Sequence, residues 1–226
     1  MNLLFDRLFA SNQGSRIFLS FSEQNKPITY EKFLNETKCM ASRLKILGLE
    51  KGDRLVLQIE KSHHVFTIYG ACVQLGIIFI PLNTNYTAVE VEYFINDSEC
   101  KSFITTTKMF KDLVSQDKKV SCKIETIDAA YTGSFFSDFD ENEPLEIIEK
   151  QNEDDIAAIL YTSGTTGRSK GAMLSQKNLL SNALTLSESW GFTASDVLLH
   201  ALPIYHTHGL FVATNIALAS GSQIRF

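Results

Sequence analysis

From Tyr30 onward, short apolar runs alternate with segments whose apolar residues recur every three or four positions, and no tight two-residue turn joins one run to the next. Tyr30, Phe33, Leu34, Thr37, Met40, Ala41, Leu44 and Leu47 trace one helical face. Thr29 stands where an N-cap is needed, Glu31 lies in the first turn, and Gly48 supplies the stop. After the Lys51-Gly52-Asp53 turn, Arg54 to Ile59 predicts a strand, His63 to Leu75 a helix ended by Gly76, and Ile77 to Ile80 another strand. Thr87-Ala88-Val89-Glu90 is a capping box that opens a short helix through Phe94, and Lys101 to Thr105 follows as a strand. Strands joined through helices cannot pair as hairpins, so they line up in parallel with the helices on their faces. The fold class is α/β, with parallel sheets flanked by helices.

The composition supplies the core such a fold needs: 44% of the 226 residues are hydrophobic. With 21 basic and 26 acidic residues the formal charge is −5, and no long basic tract offers itself to a nucleic acid backbone. The four cysteines, Cys39, Cys72, Cys100 and Cys122, show neither a CxxC pair nor zinc spacing, so they read as free thiols in a reducing compartment. Cys72 falls in an apolar helical stretch and reads as a small packed hydrophobe. The N-terminal residues are apolar but interrupted by Asp6 and Arg7, unlike a secretory signal, and no apolar run approaches the ~20 residues of a membrane span. These features point to a soluble cytoplasmic protein without membrane or nucleic acid partners, or to the mitochondrial matrix if a presequence precedes it.

The chemistry concentrates in Tyr161-Thr162-Ser163-Gly164-Thr165-Thr166-Gly167-Arg168-Ser169-Lys170-Gly171, directly behind the apolar strand Ile156 to Tyr161. Glycines let backbone N–H groups approach phosphate oxygens, the hydroxyls donate further hydrogen bonds, and the Lys170 ammonium offsets negative charge. A Walker A loop is excluded, because Gly164 to Gly167 is too short a step and Lys170 precedes Gly171 rather than Ser or Thr. The competing reading, a flexible Gly/Ser/Thr linker, is weakened by the buried strand from which the run emerges.

Upstream, Ser134 to Asp155 is acidic and weakly periodic, which suits a solvated loop and exposed helix better than a metal site. It divides the chain into a first α/β half (1–133), an acidic surface connection (134–155) and a phosphate-loop half (156–226). Downstream, Asn178 to Trp190 predicts a helix, Val197 to Ala201 a strand, Gly209 to Ala219 a helix, and Gln223 to Phe226 a strand. Between them, Leu202-Pro203-Ile204-Tyr205-His206-Thr207-His208-Gly209-Leu210 places two imidazoles at a strand–helix junction. No third metal ligand is close in sequence, and a structural role for either histidine stays open.

Tyr161 to Gly171, continued by Ala172-Met173-Leu174-Ser175, resembles the phosphate-loop signature of the adenylate-forming superfamily, which contains acyl-CoA synthetases, luciferases and peptide-synthetase adenylation domains. Ser169 stands where that family commonly has Pro, which leaves the loop freer and adds a donor. Ile28-Thr29-Tyr30, Leu47 to Val56, Gly76 and Pro81-Leu82-Asn83 extend the resemblance over nearly the whole chain, and Leu202 to Leu210 resembles the family's Leu-Pro-aromatic-His motif. Within the family, Tyr205 to Ala213 is similar to malonyl-CoA synthetases.

That resemblance implies a ligase that activates a small carboxylic acid, malonate or methylmalonate, with ATP through an acyl-adenylate, and passes it to coenzyme A. It implies that Thr162, Ser163, Gly164, Thr165, Thr166, Gly167, Arg168, Ser169 and Lys170 hold the nucleotide, with Mg²⁺ near Thr166. His206, Lys170 and Thr166 are the implied catalytic residues, and His206, His208 and Gly209 the substrate contacts, His208 facing the acyl group. The family's downstream Tyr-Gly-x-Thr-Glu segment, ribose-binding Asp, hinge and C-terminal lysine have no counterpart in this sequence. The chain therefore reads as an N-terminal portion that works with a C-terminal domain and has little activity alone. The alternatives are a noncatalytic nucleotide- or protein-binding module, and adenylation for a carrier protein.

Overall fold

The structure, a computed structural model, describes residues 1–11, 14–21, 26–129, 132–137, 139, 143–162 and 168–226. It begins with a helical turn, α1 (Leu3–Phe5), which widens into a π-type turn over Asp6–Ala10. Then come β1 (Ile17–Ser20), β2 (Ile28–Thr29), α2 (Tyr30–Ile46), β3 (Arg54–Gln58), α3 (His63–Leu75), β4 (Ile78–Pro81), α4 (Ala88–Ser98), β5 (Ser102–Thr105), α5 (Thr107–Ser115) and β6 (Lys123–Thr126). Later in the chain follow β7 (Ile156–Thr162), β8 (Lys170–Ser175), α6 (Gln176–Ser189), β9 (Val197–Leu199), a second π-type turn over His208–Thr214, α7 (Asn215–Ser220) and β10 (Gln223–Arg225).

Two sheets result. One has the order β6-β5-β3-β4-β7-β8 and the other β2-β1-β10-β9. The first is parallel from β6 to β7, as strands joined through helices require, with Val56 opposite both Ile80 and Phe103. Strands from 1–133 and from 156–226 contribute to both sheets. Every residue of α3 from His64 to Leu75 is buried, which lodges this helix between the sheets. Tyr69 packs on Phe79 of β4, while Phe66 meets His200 and Phe226, which follow β9 and β10. On the opposite face of the larger sheet, α4 and α5 cover Val56, Ile80 and Phe103 with Val91, Phe94, Ile95, Met109 and Leu113.

Four expectations need correction. The helix after the capping box does not stop at Phe94 but continues to Ser98, because Ile95 is buried and the Ser98 hydroxyl donates back to the Phe94 carbonyl. Parallel pairing is not general: β7 and β8 pair antiparallel, and so do β1 and β2, neither pair through a tight two-residue turn. Among the described residues, 134–155 holds no exposed helix; Ser134–Phe136 forms one 3₁₀ turn around the fully buried Phe135. Residues 145–149 form a strap tied to the core: Leu145 N–H donates to the Lys38 carbonyl, Glu149 N–H to the Gln74 carbonyl, and the buried Gln74 amide to the carbonyls of Leu145 and Ile147. Finally, the helix expected over Gly209 to Ala219 is two segments, the π-type turn and then α7.

Among the described residues no helix is long and apolar enough to cross a membrane, and no cluster of three or more His, Cys, Asp or Glu side chains could hold a metal. All four cysteines are free thiols, and Cys72 is fully buried.

Candidate active site

Parallel sheets bind ligands beyond the carboxyl ends of their strands, where loops and helix starts converge. Here β4 and β7 end side by side, Phe79 opposite Ala158. Past their ends opens a cavity of about 270 Å³ lined by Pro81, Leu82, Asn83 and Tyr86 from the β4–α4 connection, Leu160, Tyr161 and Thr162 from β7, and Tyr205, His206 and Thr207. Residues more than forty positions apart in the two motifs, Thr162 and His206, thus share one cavity.

Each flank of the phosphate loop is held by a different device. The β7–β8 ladder sets Thr162 opposite Lys170 and Tyr161 opposite Gly171, so the loop leaves and re-enters the sheet at a fixed register. Behind it stands α4. Tyr161 Oη donates to Asp97 Oδ2 at 2.6 Å, and the Tyr161 ring packs on Phe94 with centroids 4.6 Å apart. Burial, then the Asp97 carboxylate, pushes the Tyr161 phenol well above its ordinary range. Tyr93 Oη donates to the Ser169 carbonyl at 2.8 Å, and the Arg168 guanidinium lies over the Tyr93 ring, 5.8 Å from its centre. Lys170 is exposed on β8. Ser163, Gly164, Thr165, Thr166 and Gly167 lie outside the described residues, and with them Thr166, the implied Mg²⁺ contact.

The two histidines part company. His206 lines the cavity beside Thr162, with its ring 4.7 Å from that of Tyr205. His208 instead lines a second, mostly apolar groove of about 450 Å³ between α6 and the π-type turn, with Leu179, Leu186, Phe211, Asn178 and Asn182. Thr207 borders both spaces. Gly209 ends this loop where the backbone folds back on itself: a Cβ there would lie 2.0 Å from the Pro203 carbonyl oxygen. A close approach of this kind admits only glycine.

Residues 7–226 match the AMP-binding enzyme family. The chain belongs to the AMP-binding enzymes. A CoA ligase of Gibberella moniliformis is 29% identical over 234 residues, covering 98% of this chain and 38% of that protein. The mitochondrial malonate–CoA ligase ACSF3 of Mus musculus is 30% identical over 191 residues, covering 80% of this chain and 32% of that one. Among solved structures, ATP-bound MatB from Rhodopseudomonas palustris superposes with a TM-score of 0.90 at 41% identity, over all of this chain and 45% of MatB. This AMP-binding enzyme chain thus spans less than half the length of each of these three relatives.

Sequence reasoning found both motifs but missed several cavity walls in this AMP-binding enzyme. Tyr86 carries no motif of its own, Asn83 is marked only within the family-like Pro81-Leu82-Asn83, and only the topology brings the end of β4 beside the end of β7. Tyr93 reads simply as part of a short helix and Asp97 as the loop beyond it; nothing local in the sequence marks them as braces for a loop about seventy residues away.

Proposed function

We propose that this chain carries the nucleotide- and acid-binding half of an acid–CoA ligase that forms an acyl-adenylate from ATP and then an acyl-CoA. One observation carries the reading: Thr162, at the mouth of the phosphate loop, and His206, in the second motif, line the same cavity. A polyphosphate and a carboxylate held there would meet.

In this reading the acid and ATP are substrates, and so is coenzyme A. Thr162, Ser163, Gly164, Thr165, Thr166, Gly167, Arg168, Ser169 and Lys170 hold the β- and γ-phosphates, where fixed donors and the Lys170 ammonium stabilise charge as pyrophosphate departs. Mg²⁺ would enter with the nucleotide, with the Thr166 hydroxyl as the group to hold it, and would supply positive charge against the phosphates. The His206 imidazole donates to the acid's carboxylate or to the α-phosphate, orienting the one against the other. A C-terminal domain of the longer protein would complete the site.

The acid is a small one with a second polar end, malonate or methylmalonate. Support comes from His208 and the amides of Asn178 and Asn182, which give the second groove hydrogen-bonding capacity that a fatty tail would leave unused. The likenesses to a malonate–CoA ligase and to MatB point the same way.

The decisive experiment is ATP–pyrophosphate exchange on this chain and on a longer form of the gene, with malonate, methylmalonate, octanoate and benzoate as acids. Malonate-dependent exchange in the longer form is expected, reduced on the order of 10²-fold by Lys170→Ala. Exchange in neither form would leave a binding module, and preference for octanoate or benzoate would remove malonate as the substrate.

A further inference from the structure

Beneath the loop that carries His206 and His208 lies a third imidazole to which no role attaches so far. His200 follows β9 and is only 3% exposed. Its ring is caged by Phe66 and Phe226, with centroids 5.7 and 5.9 Å away. Its Nε2 lies 2.9 Å from the Gly209 carbonyl oxygen, which also accepts from the Thr214 hydroxyl at 3.0 Å. A carbonyl can only accept, so Nε2 carries the proton. Burial holds the imidazole below its usual range, in keeping with a neutral ring. The His200 backbone is itself fastened: its N–H donates to the Arg225 carbonyl at 2.8 Å and its carbonyl accepts from Lys61 Nζ at 2.5 Å.

These contacts make a closed circuit. His200 enters the loop, Gly209 leaves it, and the Nε2–H···O bond joins them across the chord. Within the span, Leu210 N–H donates to the His206 carbonyl at 2.9 Å, and the Gly209 Cα sits against the Pro203 carbonyl. We propose that His200 is a positioning residue for His206: its buried Nε2–H, bonded to the Gly209 carbonyl, sets where the His206 imidazole stands in the cavity it shares with Thr162. The catalytic consequence rests on the reading of His206 given under Proposed function. The positional claim does not.

The test uses His200→Leu, His200→Gln and His200→Asn. A glutamine amide nitrogen reaches the place of Nε2, an asparagine amide reaches only that of Nδ1, and leucine fills volume without a donor. In ¹H–¹³C spectra of this chain, the His206 and His208 ring signals should move in the Leu and Asn variants and return toward their original positions in the Gln variant. In the longer form, pyrophosphate exchange should fall on the order of 10²-fold in kcat for Leu and Asn, with KM for ATP unchanged and with recovery in Gln. If His200→Leu does not fold, the Gln and Asn variants decide: equal ring spectra in those two overturn the proposal, as do unmoved signals in His200→Leu. If the longer form shows no exchange before substitution, the ligase reading fails while the ring spectra still decide the positional claim.

Discussion

Gly209 shows how much a missing side chain can matter. With the Pro203 carbonyl oxygen only 2.0 Å from the place of a Cβ, Gly209→Ala cannot be relieved by a rotamer change, since both partners are backbone. Overpacking of this kind costs about 1–3 kcal/mol. Urea unfolding of Gly209→Ala should show a loss in that range; an unchanged midpoint would mean that the loop can open at that point without penalty. Tyr161 offers a milder case. Tyr161→Phe keeps the ring contact with Phe94 and loses the donation to Asp97, a change of about 0.5–1.5 kcal/mol by the same measurement. At this scale the sequence is legible where chemistry is dense: Thr162 and His206 stand out as polar groups in marked motifs. His200 does not stand out, because one histidine behind a short strand carries no local signal, and its role arises only when Gly209 folds back over it.

Among the elements, α4 does two jobs, capping the edge of the core and bracing the phosphate loop through Tyr93, Phe94 and Asp97. Its start was readable because a capping box is a local pattern: the Thr87 hydroxyl accepts from Glu90 N–H, and the Glu90 carboxylate accepts from Thr87 N–H at 2.8 Å. Thr87→Ala should cost about 1 kcal/mol, and chemical denaturation followed by far-UV circular dichroism will register it. Its end was not readable, since Asn96, Asp97 and Ser98 look like a loop until Tyr161 and the Phe94 carbonyl provide partners for Asp97 and Ser98. Strand β8 escaped detection for a different reason. Lys170 to Met173 are all exposed, so the period-two alternation that betrays a half-buried strand is absent there, and only pairing with β7 reveals it. The helices α2 and α3 fared best, because apolar periodicity, an N-terminal Thr29 and a left-handed Gly76 are all written locally.

For the molecule as a whole, acid is the revealing perturbant. His63 and His64 begin α3 with rings 4.1 Å apart. Burial lowers His63 from 6.5 to about 4, with Lys32 adding to the effect, and lowers His64 to about 3, with His63 adding. Glu36 Oε2 lies 3.7 Å from His63 Nε2 and favours the charged ring, yet Glu36 also faces Lys32 at 3.6 Å, and burial prevails. The unfolded chain therefore takes up protons below pH 6.5 that the folded chain refuses. Stability is intact above that pH and falls from 6.5 toward about 4, with a slope of up to ~1.4 kcal/mol per pH unit for each ring. Urea midpoints at pH 7.5 and 5.0 should differ accordingly, and equal midpoints would show that the rings are hydrated. The pairing of Leu19 with Ile224 and of Ser20 with Arg225 governs another property, the order in which the chain can mature during synthesis. Strand β1 waits for β10, so it has no parallel neighbour while a ribosome is still translating the residues between them. Until β10 emerges, the side of α3 that will meet Phe226 stays open, and the growing polypeptide displays Phe66 to any chaperone that samples apolar surface.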